Sequence, residues 1–245
     1  MTRKRKISLL FAAVLLAAVT VLSGWMIYDE LSSRQKEKED FDALAELVEM
    51  PVTNPPITSE MPPAETTEPS ETAEPEESLR DLSPLLEQNS ECIGWLCIPD
   101  TEVNYPVMHT PRNPQKYLRT NFYGEYSQSG VPFLDYRCSL DSGNLLIYGH
   151  NMKNGTMFGE LKSYTDPAFC AEHPTIEFQT ADGLFRYTVS EVKITDTSDQ
   201  WYEDIGGELF EGKRYLVLST CYGGGSGRLL IIAEYKEFVT FSVTS

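Results

Sequence analysis

The fold is decided between Tyr215 and Ala233, where the sequence is YLVLSTCYGGGSGRLLIIA. Two apolar runs separated by a glycine-rich turn predict two neighbouring β-strands. We place these strands at Arg214–Ser219 and Arg228–Phe238. Cys221 follows the first strand directly and lies beside the glycines, where a thiol is more accessible than one in a core.

Six further short runs, each bounded by turn residues, predict additional strands. They are Ile93–Ile98, Tyr105–Met108, Val131–Asp135, Asn144–Tyr148, Thr175–Gln179 and Phe185–Ile194. Short helices are predicted at Leu79–Gln88 and Met157–Tyr164. Eight short strands with few helices predict a mainly β fold, either a closed barrel or a sandwich.

The N-terminus predicts a membrane anchor. Basic residues 3–6 precede the uncharged segment Ile7–Tyr28. At about 1.5 Å per residue this segment reaches roughly 33 Å, enough to cross a hydrocarbon core of about 30 Å. The basic flank places residues 1–6 in the cytoplasm and everything after Tyr28 outside the cell. A cleaved signal peptide is the alternative, but its apolar region is usually only about 7–15 residues long, so we expect an uncleaved single-pass anchor.

Two segments separate this anchor from the folded domain, which we expect over residues 79–245. Residues 29–50 have helical composition and predict a juxtamembrane helix. Residues 51–78 are rich in Pro, Thr and Glu, and predict a disordered spacer with a reach of roughly 30 Å. The net charge of −17 argues against nucleic-acid binding through a basic field.

The chain has five cysteines, and an odd number outside the cell leaves at least one thiol unpaired. We expect four of them to be small buried apolar residues, although a disulfide among them is not excluded; these are Cys92, Cys97, Cys138 and Cys170. No C-x-x-C pair occurs, so neither a metal site nor a cofactor is expected.

Three residues next to predicted strands could carry chemistry. His150 follows the apolar strand Asn144–Tyr148, and Cys221 and Arg228 flank the glycine loop. A neighbouring His or Arg stabilises a thiolate, and Arg also suits a developing oxyanion. From these residues alone, the structural interpretation of a turn histidine, an edge thiol and a solvated arginine stands beside the catalytic one.

Two motifs resemble those of sortases, particularly class B. The segment Tyr148-Gly-His-Asn-Met-Lys-Asn-Gly-Thr-Met-Phe-Gly-Glu-Leu161 resembles the sortase histidine motif. Leu218-Ser-Thr-Cys221, followed by Arg228, resembles the sortase cysteine and arginine signature. Four upstream segments are also similar, namely Gly94–Pro99, Tyr105–Val107, Tyr117-Leu118 and Phe133–Tyr136. The resemblance covers about residues 80–240.

This resemblance implies a closed eight-stranded β-barrel and a cysteine transpeptidase. Cys221 would be the nucleophile, His150 the general acid and base, and Arg228 the oxyanion donor. Such an enzyme cleaves a sorting-signal peptide of a surface protein after Thr through a thioacyl intermediate. It then transfers the protein to an amine of peptidoglycan or of its lipid-linked precursor. The resemblance also implies a substrate groove lined by Ser219, Thr220 and Leu118.

Two features depart from the class B pattern. The segment Thr195–Lys213 is short, and only the stretch Tyr222–Gly227 separates Cys221 from Arg228. Both differences affect the prediction of the sorting motif, the peptide sequence that the enzyme would recognise, more than the prediction of its chemistry. The alternatives are a cysteine protease, a pilin-linking sortase and, from another class, a non-enzymatic surface module on a stalk. The sequence specifies neither the sorting motif, nor the acceptor amine, nor the oligomeric state.

Overall fold

The computed structural model describes residues 3–49, 79–203, 205 and 212–240. It divides into two compact units, Met1–Ala43 and Leu44–Ser245. The helices are α1 (Arg3–Glu49), α2 (Ser83–Gln88), α3 (Pro167–Glu172) and α4 (Gln200–Glu203). The strands are β1 (Cys92–Cys97), β2 (Asn104–Met108), β3 (Phe133–Leu134), β4 (Asn144–Tyr148), β5 (Thr175–Thr180), β6 (Gly183–Asp196), β7 (Tyr215–Cys221) and β8 (Gly227–Val239).

Helix α1 is continuous and includes both the segment expected to be the anchor, 7–28, and the helix expected over 29–50. It is long and apolar enough to cross a membrane. Large apolar side chains along it are exposed, among them Phe11, Leu15 and Trp25. The spacer expected over 51–78 lies outside the described residues.

The eight strands form one closed barrel in the order β1-β2-β3-β4-β7-β8-β6-β5, and β5 pairs with β1 to close it. The pairs β2/β3 and β4/β7 are parallel, whereas the other neighbours are antiparallel. This confirms the expected mainly β, closed eight-stranded barrel with a few short helices and decides against the sandwich.

Each predicted strand overlaps one observed strand, and β4 has the predicted bounds. The largest functional difference is at β7, which continues beyond Ser219 to Cys221. Cys221 pairs with Arg228 of β8, so the β7–β8 hairpin remains paired as far as Cys221. The nucleophile candidate is therefore part of the sheet rather than of the loop that follows it.

The helix predicted at Met157–Tyr164 is wrong in type and position. A 3₁₀ segment at Glu160–Thr165 is present instead. Met157 has φ +55°, a left-handed conformation that cannot continue a right-handed helix. Helix α2 also begins later than predicted, at Ser83, with Pro84 in its first turn, where the missing N–H costs nothing.

Strands β4 and β7 lie side by side and are buried on both faces. Consecutive residues of a strand point to opposite faces, yet Leu145–Ile147 are all buried, as are Leu216–Leu218. This explains why both runs are continuously apolar rather than alternating, as is usual for buried parallel strands. The residues that follow these two strands are thus attached to strands buried in the core of the barrel.

Candidate active site

The candidate site lies where the parallel strands β4 and β7 end. Tyr148 is the register partner of Ser219, which places the next residues of both strands at the same edge. The Gly149 N–H donates to the Ser219 carbonyl over 3.1 Å and continues the pairing by one residue. His150, two residues after β4, and Cys221, the last residue of β7, therefore lie at the same rim of the barrel.

Cys221 and Arg228 face each other across the β7–β8 hairpin. The turn between them contains Gly223, Gly224 and Gly225, with φ values of +69°, +86° and +57°. Three consecutive left-handed residues strain any side chain other than glycine, which accounts for the glycine run. Arg228 Nη1 donates to the Gly227 carbonyl over 2.9 Å, so one arm of the guanidinium is held against the turn.

His150 is half-buried and lies in the loop after β4. Its Nε2 is 2.9 Å from the Leu118 carbonyl oxygen. Because a carbonyl can only accept, Nε2 carries the proton in this arrangement. The His150 carbonyl accepts from the Phe158 N–H over 3.0 Å, and this bond joins the two ends of the loop between residues 150 and 158.

Two side chains join the histidine loop to the cysteine strand. The Thr220 hydroxyl donates to the Gly149 carbonyl over 2.8 Å. Asn151 Nδ2 donates to the Cys221 carbonyl over 2.7 Å. Each bond ties a residue next to His150 to a residue at the end of β7, so the two candidate catalytic groups are fixed to one another through the backbone.

One pocket of about 420 Å³ collects all of the predicted site residues. They are Cys221, His150, Arg228, Ser219, Thr220 and Leu118. Ser219 and Thr220 are almost fully buried, and both hydroxyls are engaged within the protein. Within the part of the chain that the structure describes, these two hydroxyls position β7, whereas Cys221 is the exposed group at its end.

The sequence alone did not single out four other residues at this site. Tyr148, Tyr202 and Asp135 line the same pocket, and Arg137 is bonded to Asp135. Only Asp135 and Tyr148 lay within segments similar to sortase motifs, and nothing in their spacing marked them as partners. Tyr202 lies in the short segment between β6 and β7, where composition offered no signal.

Asp135 is charged although its side chain is only 4% exposed. Burial disfavours the carboxylate and raises its pKa, but hydrogen bonds from Arg137 and Tyr148 outweigh burial and bring the pKa below its ordinary value. Burial, together with the hydrogen bond to Asp135, raises the pKa of Tyr148. The tyrosine therefore stays protonated and donates to the carboxylate.

All five cysteines lie in the described part of the chain and are present as thiols. Cys92 and Cys138 are buried, Cys97 and Cys170 are half-buried, and Cys221 is exposed. Burial raises the pKa of Cys92 to about 11. Exposure thus distinguishes Cys221 from the other four thiols.

Neither of the other two histidines lines the pocket that contains Cys221. His173 Nδ1 is 3.2 Å from the Pro99 carbonyl and lines a different pocket. His109 has its Nε2 buried without a partner among the described residues, and burial lowers its pKa. Over those same residues, no group of three or more His, Cys, Asp or Glu is arranged to hold a metal ion.

Comparison with known proteins gives one family. The family model "Sortase domain" matches residues 96–236. Sortase B of Listeria monocytogenes is 40% identical over 127 residues, which are 51% of this chain and 49% of that protein. The chain therefore spans about half the length of the curated relatives it matches.

Two solved sortase B structures are similar to this chain. The Staphylococcus aureus sortase B–substrate complex has a TM-score of 0.56 and 26% identity, covering 64% of this chain and 84% of that one. Sortase B from B. anthracis in complex with AAEK1 has a TM-score of 0.63 and 25% identity, covering 84% and 99%. With a sortase domain matched over more than half of its residues, and with this barrel, the chain belongs to the sortase family and most resembles the class B members.

Proposed function

We propose that this chain is a cysteine transpeptidase that anchors surface proteins, with Cys221 as its nucleophile. The observation that carries the proposal is the single pocket that brings together Cys221, His150 and Arg228 at the edge of β4, β7 and β8. Cys221 is exposed there, at the end of a strand whose preceding five residues are buried. Membership of the sortase family supports the same chemistry.

The substrate is the sorting-signal peptide of a surface protein, lying along the pocket. The similar S. aureus sortase B forms a complex with a substrate, which supports a peptide in this position. The Cys221 thiolate attacks the carbonyl carbon of a threonine, and a C–S bond forms. Arg228 and a backbone N–H stabilise the oxyanion.

The tetrahedral intermediate collapses when the threonine C–N bond breaks. His150, which took the proton of the Cys221 thiol and is therefore an imidazolium, gives a proton to the leaving amine and becomes neutral, so that a thioacyl enzyme remains. Nε2 of His150 already carries a proton in its contact with Leu118. Hydrogen bonds of an unliganded site commonly rearrange when substrate binds, so this contact is compatible with donation to the amine.

A second amine completes the transfer. His150, now neutral, accepts a proton from an amine of peptidoglycan or of its lipid-linked precursor. That amine attacks the thioacyl carbon, the C–S bond breaks, and the Cys221 thiolate returns. The product is a new amide that joins the surface protein to the acceptor.

The N-terminal part of α1 serves as the anchor, over residues 7–28, with residues 1–6 in the cytoplasm. Its exposed apolar side chains and its length support a membrane span. Residues 29–50 then continue as a juxtamembrane helix, 51–78 act as the spacer, and 79–245 form the catalytic domain on the outer face. Anchoring keeps the enzyme near both the secreted substrate and a lipid-linked acceptor.

The test is cleavage of a library of fluorogenic peptides by the full-length chain, with and without triglycine. Cys221→Ala is expected to abolish cleavage, whereas Cys170→Ala, which changes a thiol outside the pocket, should stay within twofold of the unchanged protein. Triglycine should accelerate peptide consumption and appear in the product. Full activity of Cys221→Ala would refute the nucleophile, and indifference to triglycine would indicate a cysteine protease instead.

A further inference from the structure

Asp135 is a buried charge that the proposed chemistry does not use. Its Oδ1 accepts from Arg137 Nε over 2.9 Å, and its Oδ2 accepts from Arg137 Nη2 over 3.0 Å. Tyr148 Oη donates to the same Oδ2 over 2.8 Å. Burying a carboxylate costs free energy unless the carboxylate is fully paired. We therefore asked what this carboxylate does beside the pocket.

The third arm of the same guanidinium reaches α4. Arg137 Nη1 donates to the Tyr202 carbonyl over 2.8 Å. Asp135 holds the other two nitrogens in a forked pair, which fixes the direction of Nη1. Asp135 therefore aims Arg137 at the backbone of α4.

Helix α4 has only four residues, too few to be stable alone. Besides Arg137, several contacts hold it to the barrel, and they include the following two. The Tyr202 hydroxyl lies 2.6 Å from the Ser219 hydroxyl of β7. Trp201 is buried and packs edge-on against Tyr215, with ring centroids 5.2 Å apart. The position of α4 thus depends on a few specific bonds.

Tyr202 also forms part of the pocket wall. Its ring stacks on that of Tyr148, with an interplanar angle of 11° and centroids 6.4 Å apart. Tyr148 lies two residues before His150, and Ser219 lies two residues before Cys221. The contacts of Asp135, Arg137, Tyr202 and Tyr148 therefore form a closed cycle that includes Tyr148, the last residue of β4.

We propose that Asp135 and Arg137 are positioning residues that clamp α4 against the barrel, so that Tyr202 forms a fixed wall of the substrate pocket. The clamp itself is a statement about the fold, whereas its effect on substrate rests on the proposed transpeptidase function. Loss of the clamp should loosen α4, weaken peptide binding and leave the thiol on β7 unaffected.

Hydrogen–deuterium exchange of the full-length chain tests the clamp without any activity. In Arg137→Ala, amides of residues 198–203 should exchange at least tenfold faster, while those of β4 and β7 stay within twofold. Arg137→Lys keeps the charge but not the fork, so it should not restore protection. The matched control is Arg186→Ala, which removes an arginine of β6 that is paired with Glu177 of β5 and Glu237 of β8. It should leave residues 198–203 unchanged.

Kinetics of the same variants test the role in substrate binding. Arg137→Ala and Asp135→Asn should raise KM for the cleaved peptide at least fivefold. The rate of Cys221 modification by a methanethiosulfonate reagent should change less than twofold.

Two results would overturn the clamp: unchanged exchange over 198–203, or equal acceleration in β4 and β7. Faster exchange with an unchanged KM would overturn the pocket-wall role alone. A wild-type chain that cleaves no peptide would count against the proposed function, while the exchange data still decide the clamp.

Discussion

Tyr148 and Ser219 are register partners on the parallel strands β4 and β7, and each lies two residues before a proposed catalytic side chain. Because side chains alternate along a strand, a slip of β7 by one residue would turn Cys221 to the opposite face of the sheet. The register of these two strands is therefore what places His150 and Cys221 at one pocket. The bonds around Gly149 secure that register at the strand ends.

Gly149→Ala should disrupt the site more than the fold. A Cβ at this position would meet the buried Phe158 ring, with both Cδ2 and Cγ only 2.5 Å away. Either the core or the histidine loop must move, at a cost of about 1–3 kcal/mol. We expect peptide cleavage to fall at least tenfold, and urea unfolding measures the accompanying loss of stability.

Gly155→Ala is the matched control in the same loop. Gly155 has φ +89° and no atom within 4 Å of its would-be Cβ. The substitution strains the backbone by about 1–2 kcal/mol without a clash. It should therefore lower the free energy of unfolding about as much as Gly149→Ala does, and leave the rate of peptide cleavage within about threefold of wild type. Cleavage by Gly149→Ala at the wild-type rate would contradict the expected displacement of His150.

Asn151→Ala should uncouple the histidine loop from the cysteine strand. The lost bond is the 2.7 Å contact from Asn151 Nδ2 to the Cys221 carbonyl. A bond of this kind is worth about 0.5–1.5 kcal/mol of stability. We expect cleavage to fall about tenfold, and Asn151→Asp should not restore it because a carboxylate cannot donate to a carbonyl.

The control for this substitution is Asn154→Ala. Asn154 Oδ1 accepts from the Thr156 hydroxyl over 2.9 Å in the same loop, away from Cys221. Cleavage by this variant should remain within twofold of wild type. Equal loss in Asn151→Ala and Asn154→Ala would mean that general loosening of the loop, not the link to β7, is responsible.

Arg228→Lys should impair the proposed chemistry while the barrel stays folded. One arm of Arg228 already donates to the Gly227 carbonyl, which leaves its remaining N–H groups for an oxyanion. A single ammonium cannot supply the same forked geometry. Loss of an oxyanion donor typically costs about 10²–10³ in kcat, and we expect a decrease of that size in peptide cleavage.

Arg214→Lys is the control for this variant, because it also replaces an arginine by lysine and keeps the positive charge. Arg214 precedes β7, and its Nη2 donates to the Leu140 carbonyl over 3.3 Å, outside the pocket. Cleavage should be unchanged, and thermal unfolding should show that both variants are folded. Retention of cleavage within threefold by Arg228→Lys would remove Arg228 from the proposed mechanism.

The barrel and the three proposed catalytic residues at its rim could be predicted from the sequence, because both are indicated by patterns of neighbouring residues. Apolar runs and glycine turns located all eight strands, and motif order located Cys221, His150 and Arg228. The clamp could not be predicted, because Arg137 and Tyr202 are 65 residues apart and leave no periodic signal. The misplaced helix after residue 157 has a different cause, since the left-handed backbone of Met157 overrides its helical propensity.

Thiol labelling should separate Cys221 from the other cysteines at pH 8. A thiol with a pKa of about 11, as in Cys92, is only about one-thousandth ionised there. Exposed Cys221 should react first and account for one equivalent of a methanethiosulfonate reagent, whereas Cys92 should react only after unfolding. A fast phase that persists in Cys221→Ser would contradict this order, and an unreactive Cys221 would favour a non-enzymatic surface module.

Asp135 should make the stability of the barrel depend on pH in the acid range. Its pKa lies below the ordinary value of 3.8 in the folded protein. Between the folded pKa and 3.8 the unfolded chain binds more protons, so stability rises with pH. The contribution of Asp135 is therefore complete above about pH 4 and is lost as the pH falls through the folded pKa. Asp135→Asn should be less stable at pH 5 and lose less stability than wild type between pH 5 and pH 3.

Urea unfolding at the two pH values, followed by near-ultraviolet circular dichroism, measures this difference. Asp141→Asn, which changes an exposed carboxylate after β3, should follow the wild-type dependence. Because other carboxylates also titrate here, only the difference between wild type and Asp135→Asn is informative. Identical losses for these two proteins would mean that Asp135 is not held as a carboxylate by Arg137 and Tyr148, and the clamp on α4 would lose its anchor.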